Sequence, residues 1–101
     1  MRIRDLPGWP PKKFQKDSTM DDCPHDEGAL HIYSATFIPG SGGKKAQGHL
    51  IIQTEHSDTG TRCSGRIGVS GMSLGRRAAE VLSRRKGMTL EDAGNLQIPG
   101  N

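Results

Sequence analysis

Apolar and polar residues alternate through the middle of the chain, then recur every three to four residues towards its end. The stretch "ALHIYSATFI" (29–38) is rich in β-branched and aromatic residues and stops at Pro39-Gly40, which predicts a strand. "HLIIQTEH" (49–56) predicts a second strand and "TRCSGRIGV" (61–69) a third. Between them, "PGSGGKKAQG" (39–48) is a glycine-rich loop tipped by Lys44 and Lys45. "SDTG" (57–60) is a turn in which Gly60 can take the left-handed conformation. Together these segments make an antiparallel meander.

Beyond Val69 the period changes from two to 3.6. Leu74, Ala78, Val81 and Leu82 then form one apolar stripe of a helix, with Ser70 or Ser73 as its cap and Gly87 as its end. "TLEDAG" (89–94) predicts a short helical turn capped by Thr89, and "NLQI" (95–98) a last, short edge strand.

Residues 1–28 show neither period. "LPGWPP" holds three prolines and a glycine in six positions, so it can form neither helix nor a full sheet ladder. It reads as an extended arm with Ile3, Leu6, Trp9 and Phe14 as anchors. "KDSTMDDCPHDEG" is polar, acidic and without period, a long loop. The expected organisation is an N-terminal arm and acidic loop (1–28) followed by a single α+β domain (29–101). In that domain a three- or four-stranded antiparallel sheet packs its aliphatic face on one main helix.

Composition thins the core. Only 32% of the 101 residues are apolar and 14 are glycine, which buries no side chain. Marginal stability or help from a partner is expected. The net charge of +3 assists contact with anionic surfaces without demonstrating it. Its distribution says more: Asp17, Asp21, Asp22, Asp26 and Glu27 cluster early, whereas Arg76, Arg77, Arg84, Arg85 and Lys86 cluster late. The two patches could pair within the fold or between protomers. "MRIRDLPGWPP" lacks a signal-peptide core and no stretch reaches membrane-spanning length, so a cytoplasmic protein with reduced Cys23 and Cys63 is expected.

"IRDLPGWPP" at the start and "AAEVLSRRKGMTLEDAGNL" near the end resemble segments of small uncharacterised bacterial proteins. The resemblance covers the two ends only and implies no activity.

Strict alternation assigns the sheet faces. Cys63, Ile67 and Val69 share one face with Leu30, Ile32, Ile38, Leu50 and Ile52. The opposite face then carries His31, Tyr33, Phe37, His49, Gln53, Arg62 and Arg66. Aromatic residues among arginines on an open sheet can stack and neutralise single-stranded nucleic acid. Alternatively the arm covers this face, with Trp9 lying across Tyr33 and Phe37 as a second small core.

Other constellations carry less. "GRIGVSGMSLGRR" has GxxGxxG spacing, neither a dinucleotide fingerprint nor a P-loop. Gly65 and Gly68 read as strand bends or bulges and Gly71 as a turn, with weak anion binding at Gly68, Ser70 and Gly71 as the alternative. Arg76, Glu80 and Arg84 can pair along a solvated helix face, leaving Arg77, Arg85 and Lys86 for phosphates. Cys23, His25, His31, His49, His56 and Cys63 lack zinc spacing, so no metal site is assigned. Neither Cys63 with a histidine nor His56 with Asp58 has supporting catalytic signatures.

The expected function is therefore a non-enzymatic binding module without cofactor, membrane or evident small-molecule substrate. Its partner is another protein or a second copy met through the sheet edge or the arm. The alternative is single-stranded RNA or DNA held by Tyr33, Phe37, Arg62, Arg66, Arg76, Arg77, Arg84 and Arg85.

Overall fold

Three long strands and a helix form where the two periods place them, in a computed structural model that describes residues 1–16, 19, 21, 23, 27–40 and 47–100. In chain order the elements are β1 (Gln15–Lys16), β2 (Leu30–Pro39), β3 (Gln47–His56), β4 (Arg62–Ser70), α1 (Met72–Arg84), β5 (Met88–Thr89) and α2 (Leu90–Gly94). The strands make one antiparallel sheet in the order β1-β4-β3-β2-β5. Five strands replace the expected three or four. The two extra ones are two residues long, too short for alternation to reveal.

Leu50 and Ile52 of β3 lie in register with Ile67 and Gly65 of β4, on the face that α1 covers. On β2 the alternation breaks. The register steps from Ile32↔Thr54 to Ser34↔Gln53, so Tyr33 is an extra residue, a β-bulge. Leu30 and Ile32 precede the slip on the covered face; Ala35 and Phe37 follow it on that same face. This corrects the expected face of two residues. Phe37 packs against α1, whereas Ile38 is turned outward and is 53% exposed.

The slot for Phe37 is made by glycines. A Cβ at Gly75 of α1 would fall within the envelope of the Phe37 ring, and one at Gly48 would lie 2.7 Å from Phe37 Cε1. The buried stripe of α1 is accordingly Gly75, Ala78, Ala79 and Leu82, with Leu74 and Val81 only half-buried at its flanks. Small residues let the helix approach the sheet closely. No side chain caps α1: Ser70 ends β4, Ser73 lies inside the helix, and Gly71, with φ of 97°, occupies the cap position. Thr89 does cap α2, accepting from Asp92 N at 3.2 Å.

The N-terminal segment joins the same core. Ile3, Leu6, Phe14 and Cys23 are buried with the strand and helix residues in one cluster. Burying a side chain of the size of Ile3 or Leu6 contributes about 1.5–3 kcal/mol. Phe14 and Pro11 lie over Gly65, where a Cβ would meet both at 2.8 Å. This explains Gly65 by close approach, and β4 pairs with β3 in unbroken register through Gly65 and Gly68, so neither is a bulge. Trp9 packs against Gly94 of α2, not across Tyr33. "NLQI" meets the arm through an Arg2↔Gln97 bridge, with Ile3 N donating to Leu96 O at 2.9 Å, and does not extend the sheet.

Cys23 and Cys63 form a disulfide, with Cα atoms 6.5 Å apart. This overturns the expectation of two reduced thiols. Among the described residues no helix is long and apolar enough to cross a membrane. Asp17, Asp22, Asp26, His25, Lys44 and Lys45 lie outside the described residues.

Candidate functional site

Helices and arm all lie on one side of the sheet, so its other side is bare among the described residues. The shortest molecular extent, 18 Å, fits one sheet plus one covering layer. The bare face carries His31, Thr36, Ile38, His49, Ile51, Gln53, Glu55, Arg62 and Arg66, every one at least partly exposed. Tyr33 is half-buried at the bulge, and the Arg62 guanidinium sits 5.0 Å from its ring centroid. Arg62 Nε also meets Glu55 Oε2 at 3.3 Å across the β3–β4 ladder. Arg62 is thus already engaged, whereas Arg66 is exposed and in no ion pair with a described residue.

The sheet separates the residues that the nucleic-acid reading groups together. Tyr33 and Arg62 remain together on the bare side, which Arg66 shares further along β4. Phe37 lies in the core layer, and Arg76, Arg77, Arg84 and Arg85 belong to α1 or its end, beyond the sheet. Arg84 pairs with Glu80, and Arg77 donates to the carbonyls of Ser73 and Pro99. Gly68, Ser70 and Gly71 are exposed around the β4–α1 junction.

The histidines and cysteines are similarly dispersed. Buried His56 accepts from Asp58 N at 3.1 Å and Thr59 N at 3.3 Å through Nδ1, which ties down the β3–β4 turn. Cys63 is held by its disulfide. Among the described residues no group of three or more His, Cys, Asp or Glu side chains could hold a metal ion.

A concave site opens along the outer edge of β4. It has a volume of about 750 Å³ and is lined by Lys12, Lys13, Lys16, Arg66, Ile51 and the β4 stretch from Ser64 to Gly68, together with Gly8 and Gln15. Backbone geometry gives this edge its chemistry. His56 N–H donates to Thr61 O at 2.8 Å, which fixes which β3–β4 pairs are hydrogen-bonded. Such pairs alternate along an antiparallel ladder, so Cys63, Gly65, Ile67 and Val69 direct their backbone groups at β3. Even-numbered β4 residues direct theirs outward. β1 pairs with Cys63 and Ser64 and then ends. The outward N–H and C=O groups of Arg66, Gly68 and Ser70 meet no strand among the described residues.

Three lysines of this site were not among the residues singled out from the sequence. "PPKKFQK" does show them flanking Phe14, but only the packing of Phe14 on Gly65 brings them to β4. The chain matches no family model, no curated protein and no solved structure.

Proposed function

We propose that the protein is a non-catalytic binding module that receives an extended segment of another protein on the open edge of β4. The observation that carries this reading is the row of outward backbone groups at Arg66, Gly68 and Ser70, of which Arg66 and Gly68 line a cleft. An incoming strand supplies the matching donors and acceptors at the same period, as in β-strand addition. It would run collinear with β1. Gly68 carries no side chain beside its outward backbone groups, and a Cβ built there would meet nothing within 4 Å.

A non-enzymatic reading is supported by the roles of three residues: His56 holds a turn, and Cys23 and Cys63 are bonded to each other. A cytoplasmic setting would keep those thiols reduced, so the bonded pair favours an oxidising compartment. One observation favours a second reading, single-stranded nucleic acid on the bare face. Arg62 over Tyr33, with Arg66 further along the same face, offers one stacking position. It is the weaker reading, because Phe37 faces away and the helix arginines lie beyond the sheet.

Titrating the ¹⁵N-labelled protein with an extended threonine- and valine-rich peptide tests the proposal. Amide shifts should centre on residues 64–70 and 12–16. Shifts confined to α1, or none at saturating peptide, would overturn it.

A further inference from the structure

We infer, building on the β4-edge reading, that the segment received there is acidic: a run of Asp or Glu in extended conformation. Lys12, Lys13, Lys16 and Arg66 line the cleft, and among the described residues no carboxylate lines it. None of the four forms an ion pair with a described residue, although Arg62 and Arg84 do so elsewhere on the molecule. The cations also flank the edge on both sides. Lys16 lies in register with Cys63, on the covered side, while Arg66 belongs to the bare face. Side chains of an added strand alternate between these two sides. A cation therefore stands on each side of the strand's path, so acidic residues of either alternation find a partner near its Arg66 end.

The same charges disfavour a second copy of this chain as the occupant. Pairing two β4 edges would bring two sets of these cations together, and lysines on an edge are a known device against such pairing. Nucleic acid would satisfy the charge but not the backbone. Its phosphates accept hydrogen bonds and supply no amide donors for the carbonyls of Arg66, Gly68 and Ser70. An acidic peptide strand satisfies both. From Arg66 to Ser70 the edge runs about 14 Å, enough for roughly five residues of strand.

The test compares three probes by fluorescence anisotropy: a Thr-Glu peptide, its Thr-Gln counterpart, and a single-stranded oligonucleotide of equal charge. Each is titrated into the protein and into the triple variant Lys12→Gln/Lys13→Gln/Arg66→Gln, while amide spectra follow residues 64–70. The three substituted residues are exposed, so an unchanged thermal melt establishes that the variant is folded. The Glu peptide should bind the unmodified protein at least about tenfold more tightly than the Gln peptide, as a sum of exposed charge pairs allows. The triple variant should abolish that preference, and added salt should reduce it. Equal binding of both peptides at the edge overturns the acidic preference while leaving the edge reading intact. If neither peptide moves the edge amides, the edge reading falls and the inference with it. Tight oligonucleotide binding without peptide binding overturns the inference in favour of nucleic acid, and a preference that survives the triple variant overturns the assignment to these cations.

Discussion

Phe37 shows how much of this fold depends on single positions. Its ring fills a slot between Gly48 and Gly75, so the two glycines and the phenylalanine act as one packing unit. Phe37→Ala should cost about 3 kcal/mol, at the lower end for a phenylalanine because the ring is only partly buried. Gly75→Ala adds helix propensity but forces a methyl into the ring, and overpacking of this kind typically costs about 1–3 kcal/mol. Urea denaturation of the two variants measures both losses, and neither should alter peptide affinity at β4. Tyr33→Ala should behave in the opposite manner to Phe37→Ala. The residue is only half-buried and stacks with an exposed arginine, so stability should fall by no more than about 1 kcal/mol. A large effect of Tyr33→Ala on ligand affinity would move the working surface from the edge to the bare face.

At the scale of elements, the long strands, α1 and the Thr89 cap were legible because each has a local cause: alternation, the 3.6 period, or a hydroxyl before an acidic first turn. The bulge was legible only in part. Reading "LHIYSATF" with a phase slip after Ile32 puts Leu30, Ile32, Ala35 and Phe37 on one face, but a strict period of two hides it. β1 and β5 were not legible, since two residues carry no period and their pairing is set by distant contacts. The same holds for the site. Its lysines lie in an arm whose path depends on Phe14 meeting Gly65 and on the Cys23–Cys63 bond. That bond links residues separated by 40 positions, and a loop of this length gives an entropic stabilisation of about 4 kcal/mol. Replacing both cysteines with alanine should therefore lower the melting temperature by more than about 10 °C. Differential scanning calorimetry with and without reductant checks this, and an unchanged melt would show that the cross-link does not constrain the unfolded chain.

Among the described residues the molecule is two layers thick, with everything that covers the sheet on one side. The described residues of the arm complete the core without crossing to the bare face, and they stop short of covering the outer edge of β4. That arrangement leaves a sheet face that is mostly polar and an edge that is chemically incomplete. The basic lining makes the edge selective by charge, which guards it against a second copy of itself while admitting an acidic strand.

Amide hydrogen exchange at single-residue resolution tests this directly, because β4 contains its own internal control. In the unbound protein Gly65, Ile67 and Val69 should be protected by β3, while Arg66, Gly68 and Ser70 exchange rapidly. Saturation with an acidic peptide should slow the second set and leave the first unchanged. If Arg66, Gly68 and Ser70 are already protected in the unbound protein, or stay fast with peptide bound, the β4 edge is not where this protein takes its partner.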